Sequence, residues 1–465
     1  MSAEPHKKES IRSPKGMRDI WGDEYYRYQG LFEKAQEIAV YYGFQPIETP
    51  ILEHEELFSR GVGEHTDIVE KEMYSLRTKG GDHLVMRPEG TAAIMRAYIE
   101  HGMHTIPQPV MFYHGGPFFR HENPQRGRLR ELRQFGVEVL GTQKSIADAL
   151  VIRTLMDILE EAGLKNLSID INSIGDTDSR PAYTRALINH YKKHVDALCP
   201  HCRERIKSNP LRLLDCKDER CAQWKTDAPD SVSFLSQAGK QHFKEVLEYL
   251  DSLNITYHIN PTLVRGLDYY THTVFEIIAD RGTDSADEKT QINADGKGAD
   301  SADGKTRMHA DEKEADRKDM AGLAIASGGR YDNLAKLIGG KKPVPAVGGA
   351  IGLDRVLMMP GVKAPAPRIM KKPKIYFIQI GFEAKLKSLS VIEVLRKAHI
   401  PIIQSLSKDS LSAQLAIAEK TAVPYVIIFG QKEAMDQTLI VRNMENRSQE
   451  TVKLAKLSEY IKHIK

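Results

Sequence analysis

At 465 residues the chain is too long for one ordinary core, which points to two or three domains. Its 66 Lys and Arg nearly balance 63 Asp and Glu, leaving a net charge near +3. Bulk attraction to nucleic acid or to an acidic membrane is thereby excluded, and any polyanion site must be local. The opening residues lack the apolar run of a secretory signal, and no stretch of about eighteen apolar residues occurs, so the expected compartment is the cytoplasm with no membrane partner.

In chain order, "LFEKAQEIAVYYGFQPIETPILEHEELFSRGVG" predicts an amphipathic helix ending at Gly43, an extended segment around Pro46 and Pro50, and a second helix. "HLVMRPEGTAAIMRAYIEHG" predicts a short strand, a turn and a helix opening near Thr91. "QPVMFYHGGPFFR" and "LRQFGVEVLG" carry aromatic and β-branched residues at strand spacing, which predicts an antiparallel pair joined by a long polar loop. Five arginines fall between Arg120 and Arg133, in and around that loop. "LSIDINSIGD" predicts another strand, after which a charged, helical stretch holds every cysteine and reads as a helical insertion over about 177–258.

"LVRGLDYYTHTVFEIIA", "GLAIASGGRYDNL" and "VGGAIGLDRVLMM" return to strand-like composition. Between the first two, residues 284–299 and 300–315 are a tandem duplication with alternating charge and almost no large apolar side chains. Nothing there offsets the entropy of ordering, and a solenoid needs repeats with a buriable face, so a disordered insert over about 281–319 is expected at a hairpin tip. "MPGVKAPAPRIMKKPK" reads as a linker, placed at 361–373. Buried-strand runs then alternate with helical segments over 374–465, which predicts an α/β domain with a mainly parallel sheet. The fold class is therefore an α+β catalytic domain on an antiparallel sheet over 1–360, with a helical insertion, plus the C-terminal α/β domain.

An arginine held by a strand presents a rigid fork of donors that fits phosphate oxygens bidentately, as a lysine cannot. For Arg120 alone the plain alternative is a solvated hairpin with surface ion pairs to Glu122 or Glu131. Arg265 in "LVRGLDYY" and Arg355 in "GLDRV" alter the balance, because each sits among apolar residues and glycines where an unpaired charge is expensive. Each needs an anion. Neither a "GxxxxGK[ST]" loop nor a "GxGxxG" turn in a strand-turn-helix setting is present, so any ATP must be held by an arginine clamp on an antiparallel sheet. Glu89, Gln134 and Glu138, in or beside predicted strands, and the adjacent Tyr269 and Tyr270 can hold an ammonium and an imidazole; otherwise they are core-edge polar residues satisfied by backbone.

Together these segments resemble the histidyl-tRNA synthetase family of class II aminoacyl-tRNA synthetases over nearly the full length. "GFQPIETPILE" resembles the first class motif, "FFRHENPQRGRLRELRQFGVEV" the second and "VGGAIGLDRV" the third. More specific are "LVRGLDYYTHTVFE" and "SGGRYDNL", which look like the two signatures of the histidine enzyme, with "RPEGT" and "SPKGMRDI" matching as well. The resemblance implies a homodimer with Pro50 at its interface. It implies ATP bound by Arg120, Arg265 and Arg355, with Mg²⁺ at the pyrophosphate, and Arg265 and Arg120 as the catalytic residues. Histidine would be held by Glu89, Gly90, Thr91, Gln134, Arg120 and Arg265, with Glu138, Tyr269, Tyr270 and Tyr331 around the imidazole. The loop from Glu122 to Arg130 would grip the acceptor end of tRNA-His, and the domain after Lys372 would read the anticodon.

The implied activity is ligation of L-histidine to tRNA-His by way of histidyl-adenylate. Two alternatives are a synthetase-like regulatory subunit of ATP phosphoribosyltransferase that senses histidine, and a tRNA-binding module without catalysis. The first typically lacks the C-terminal domain and degrades the "LVRGLDYY" signature, both intact here; the second has no use for an α-phosphate clamp. Cys199, Cys202, Cys216 and Cys221 allow a four-thiolate zinc site, but the gap from Cys216 to Cys221 is wider than the usual two residues. Reduced cytosolic thiols in a helical insert are the other reading, and the spacing assigns no metal.

Overall fold

A computed structural model describes residues 10–64, 66–123, 127–279, 324–406 and 410–460, so the duplicated stretch and its expected disorder lie outside the described residues. The chain divides into two compact units, Met1–Pro367 and Arg368–Lys465, the division falling within the Pro- and Lys-rich stretch.

The strands of the first unit are, in chain order, β1 (Gln45–Pro46), β2 (Leu52–His54), β3 (Tyr74–Arg77), β4 (His83–Met86), β5 (Val110–Phe119), β6 (Glu131–Leu140), β7 (Leu167–Ser173), β8 (Tyr257–Ile259), β9 (Thr271–Ala279), β10 (Ala324–Arg330) and β11 (Ala346–Gly352). Among the described residues eight form one sheet in the order β1-β5-β6-β11-β10-β9-β7-β8, and β2, β4 and β3 form a small second sheet. Pairing in the large sheet is antiparallel except at its two edges, where β1 runs parallel to β5 and β8 parallel to β7.

Side chains alternate across each strand, so the sheet has two unlike faces. On one, Phe135, Val137 and Val139 of β6 bury themselves with Leu31, Ala35 and Ala39 of α1 (Gly22–Tyr41). The same core takes Val151, Ile152 and Leu155 of α4 (Ile146–Glu161), which follows α2 (Glu55–Val62) and α3 (Thr91–Glu100) in the chain. Each such fully buried Phe, Val, Leu or Ile side chain contributes roughly 1.5–3 kcal/mol. The other face carries Gln134, Gly136 and Glu138 of the same strand.

Between β7 and β8 the helical stretch comprises α5 (Arg180–Lys192), α6 (Pro200–Ser208), α7 (Glu219–Ala222) and α8 (Gln237–Ser252), joined by short 3₁₀ turns. It is not a body apart. Phe243, Val246 and Leu250 of α8 join the α1/α4 core, while Tyr183, Leu187, Tyr191 and the four cysteines join the core of the opposite face, together with Tyr269 and Tyr270. After β10 come α9 (Leu334–Leu337), then β11 and α10 (Leu353–Met358).

The strand expected from Leu263 starts only at Thr271. Residues before it form a loop because side chains, not a neighbouring strand, take its carbonyls. Asn172 Nδ2 donates to Pro261 O at 3.3 Å and Leu263 O at 3.0 Å, and Arg180 donates to Tyr270 O at 2.8 Å.

The second unit holds β12 (Ile375–Gln379), α11 (Phe382–Lys397), β13 (Ile402–Gln404), α12 (Leu411–Lys420), β14 (Tyr425–Phe429), α13 (Gln431–Asp436), β15 (Thr438–Asn443), β16 (Gln449–Lys453) and α14 (Leu457–Tyr460). Its sheet order is β13-β12-β14-β15-β16. The mainly parallel sheet expected from sequence is mixed: β13, β12 and β14 run parallel, whereas β15 and β16 add antiparallel pairings. β16 escapes notice in the sequence because Val452 is its single buried side chain.

Candidate active site

Above the polar face of the sheet lies a cavity of about 240 Å³. Its wall brings together Glu89, Gly90, Thr91, Arg120, Gln134, Arg265, Tyr269, Tyr270 and Arg355, which come from widely separated parts of the sequence. Glu138 and Tyr331 do not reach the wall; they lie beneath its floor, each 1% exposed.

At one end the chain turns from β4 into α3 through "RPEGT". The first turn of a helix leaves backbone N–H groups unpaired, and Glu89 supplies their acceptor, taking the N–H of Thr91 at 2.7 Å and of Ala92 at 3.0 Å. Tyr269 Oη donates to the same carboxylate at 3.4 Å. Burial raises the Glu89 carboxyl above its ordinary value, and the two N–H bonds offset this only in part. A carboxylate offers about four lone-pair sites, so capacity remains for an ammonium.

Below, Glu138 accepts from Thr91 Oγ1 at 2.7 Å and from Tyr331 Oη in a very short hydrogen bond, with His114 Nε2 at 3.6 Å. This cluster fits because glycines stand around it. Gly348 pairs with Glu138 in register, and a Cβ there would lie 1.5 Å from Glu138 Oε2. A Cβ at Gly90 or Gly136 would lie 2.4 Å from the His114 ring. Burial raises Tyr269 and Tyr331 well above the ordinary phenol value and raises Tyr270 too, so all three remain neutral donors near neutral pH.

The cationic part of the cavity comes from three segments. Arg120, just past β5, donates Nε to Pro88 O at 2.9 Å. Arg355 on α10 donates Nε to Gly127 O at 3.0 Å and a terminal nitrogen to Ala324 O at 2.8 Å, which are carbonyl rather than carboxylate partners. Burial pushes Arg355 downward, and neighbouring Arg128 adds to this, so an incoming polyanion would be strongly favoured there. Arg265 differs: it pairs with Glu276 and donates to Ser327 Oγ at 2.6 Å. Burial opposes its charge, and Glu276 together with Tyr270 and Tyr269 outweighs burial. The anion that the sequence context of Arg265 demands is thus partly supplied from within the sheet. "SPKGMRDI" braces this part, since Arg130 N–H donates to Gly16 O at 2.8 Å and Arg18 reaches Asp354 at 3.3 Å.

Among the residues of the site that the sequence does not single out are His114, Glu276 and Ser327. Strand alternation alone puts Glu276 and Ser327 on the polar face, in register with each other. His114 has a weaker signal, the two glycines that follow it, because its glycine neighbours come from other segments.

An antiparallel sheet that gathers arginines from three segments over one cavity, preceding a separate α/β unit, defines a class II aminoacyl-tRNA synthetase. The family profile described as histidyl-tRNA synthetase matches residues 16–286, and one described as anticodon binding domain matches residues 374–464. The histidine-tRNA ligase of Desulforamulus reducens is 37% identical over 450 residues, covering 97% of this chain and 98% of the relative. That of Thermodesulfovibrio yellowstonii is 39% identical over 448 residues, covering 96% and 97%. The crystal structure of apo Staphylococcus aureus histidyl-tRNA synthetase superposes with a TM-score of 0.73 at 30% identity, covering 97% of this chain and 100% of that one. The chain belongs to the histidyl-tRNA synthetase family.

Proposed function

We propose that this cavity joins L-histidine to ATP and that the activated histidine then passes to the 3′-terminal adenosine of tRNA-His. The chain is a histidine-tRNA ligase, and its full-length likeness to such ligases supports catalysis over a regulatory or merely tRNA-binding role. The observation that carries the assignment of residues is the convergence of Arg120, Arg265 and Arg355 on one cavity with Glu89 and Tyr270.

In the first step an oxygen of the histidine carboxylate attacks the α-phosphorus, the bond to the bridging oxygen breaks, and pyrophosphate leaves. A weak nucleophile meets a centre already ringed by negative oxygen, so positioning and charge neutralisation are the main sources of acceleration. Arg120 and Arg265 would flank the α-phosphate, and Arg355 would hold the γ end. Glu89, with Thr91 and Gln134, would take the α-ammonium. Tyr269 and Tyr270 would line the imidazole pocket, its floor held by Glu138, Tyr331 and His114. Glu122 and Glu276, carboxylates of the cavity wall, are the hard oxygen donors that fit Mg²⁺, which when bound supplies further neutralisation of the phosphates. In the second step a ribose hydroxyl of the terminal adenosine attacks the activated carbonyl and AMP leaves.

The loop from Glu122 to Arg130 would meet the acceptor end, residues 374–464 would read the anticodon, and the working form would be a cytoplasmic homodimer. ATP-pyrophosphate exchange tests the first step: exchange stimulated by histidine and by no other amino acid is expected, and exchange indifferent to histidine would remove the assignment.

A further inference from the structure

The chain has four cysteines in 465 residues, and all four meet at one point. Cys199 and Cys202 open α6, Cys216 follows a 3₁₀ turn, and Cys221 sits in α7. Their sulfurs lie within 4.8 Å of one another. All are free thiols and all are buried, Cys202 and Cys221 completely.

Packing alone accounts poorly for this. A free cysteine packs as a small hydrophobe, and nothing in that role draws four sulfurs from two segments to a common centre. The local geometry is that of a ligand set. Four sulfurs each about 2.3 Å from a tetrahedral zinc ion stand about 3.8 Å apart, and Cys199 Sγ lies 3.8 Å from Cys216 Sγ. Backbone N–H groups aim at the sulfurs as they would at thiolates: Cys202 N–H donates to Cys199 Sγ at 3.4 Å, and Cys199 N–H to Cys221 Sγ at 3.4 Å. The wide gap between Cys216 and Cys221 is taken up by the start of α7, where Asp218 caps the helix through Arg220 N–H and turns Cys221 inward.

We infer that Cys199, Cys202, Cys216 and Cys221 form a closed, structural tetrathiolate zinc(II) site. Four protein ligands leave no open position for a substrate, and full burial fits a staple better than a catalyst. The elements it joins are short, and isolated turns of this length do not persist alone. Between the two cysteine pairs lie Asn209 and Arg212, which the staple holds against the catalytic part of the unit. Asn209 Nδ2 donates to Asp268 at 2.5 Å, next to Tyr269, and Arg212 pairs with Asp67 at 2.7 Å. The site therefore supports the loop carrying Arg265 and the two tyrosines.

The full chain, purified under reducing conditions and freed of loose metal, is expected to contain close to one zinc ion per chain by mass spectrometry. Exchange with cobalt(II) should give the sulfur-to-metal charge-transfer bands and the intense visible bands of a tetrahedral tetrathiolate. Cys216→Ser should lower bound zinc at least about 10-fold. Should that variant unfold the module, the wild-type metal content and cobalt spectrum still decide. Wild-type protein without stoichiometric zinc that fails to take up cobalt(II), iron in place of zinc, or disulfides formed among the four under reducing conditions would each overturn the site.

Discussion

The two faces of the large sheet are made from the same strands and stabilised in opposite ways. On the α1/α4 face, Phe135, Val137 and Val139 gain from leaving water, and their partners need only match them in shape. On the cavity face, Glu138 has each of its buried oxygens assigned to a donor, and Gly348 and Gly136 are small because polar neighbours fill their space. A polar group buried without partners costs more than a lost apolar contact of similar size, so the second face tolerates fewer exchanges. Apolar packing alone occupies one side, while the other combines a core of its own with the polar cluster.

The largest effect is expected at Arg265. Arg265→Ala removes the guanidinium that we propose acts on the α-phosphate and should lower histidine-dependent pyrophosphate exchange roughly 100- to 1000-fold. ATP affinity should change modestly, since Arg120 and Arg355 remain. Exchange at the wild-type rate in this variant would contradict its catalytic assignment.

A pair of substitutions then sets one face against the other. Val137→Ala opens a space in the α1/α4 core and should cost about 2–4 kcal/mol of stability, seen as a lower denaturation midpoint, with the KM for histidine unchanged. Gly348→Ala pushes a methyl into Glu138 and should cost about 1–3 kcal/mol while raising the KM for histidine at least about 10-fold. If both variants lost stability and both kept their KM, the division of labour between faces would be wrong.

Tyr331→Phe is milder. It leaves the packing and takes one donor from a buried carboxylate, a loss of about 1–3 kcal/mol. Calorimetry should show that loss, and the KM for histidine should rise by less than in Gly348→Ala, because Glu138 keeps Thr91 as a donor.

These two faces also differed in how far the sequence revealed them. The apolar face follows from alternation in "LRQFGVEVLG", where every second residue declares its side. Arg120, Arg265 and Arg355 stood out because a charge in an apolar setting demands an explanation. What escaped detection depends on pairing between distant segments. His114 reads as one more strand residue until Gly90 and Gly136 are brought against its ring, and Glu276 reads as surface until Arg265 crosses to meet it. The same holds for the loop before Thr271, whose β-like composition is overruled by Asn172 and Arg180, side chains remote in sequence. In the second unit the Tyr425–Phe429 run and its neighbours were legible, while β16 was hidden by its single buried residue.

The smallest predicted effect lies where the covers of the two faces meet. Asp176 accepts from the hydroxyl and N–H of Ser179 before α5 and from the hydroxyl of Ser236 before α8, tying the helix that covers one face to the helix that covers the other. Burial works against its charge, and these hydrogen bonds outweigh burial and hold the carboxyl at about 2. A carboxyl depressed on folding binds its proton more readily in the unfolded chain, whose ordinary value is about 3.9. Its contribution is therefore fully present above about pH 4 and is lost as pH falls towards 2. Asp176→Asn should be slightly less stable than the wild type at neutral pH, with the gap closing as acid is added across that window. Denaturant titrations at neutral pH and on both sides of that window measure it directly; a gap of constant size would mean that the carboxylate does not tie the two covers together through its charge.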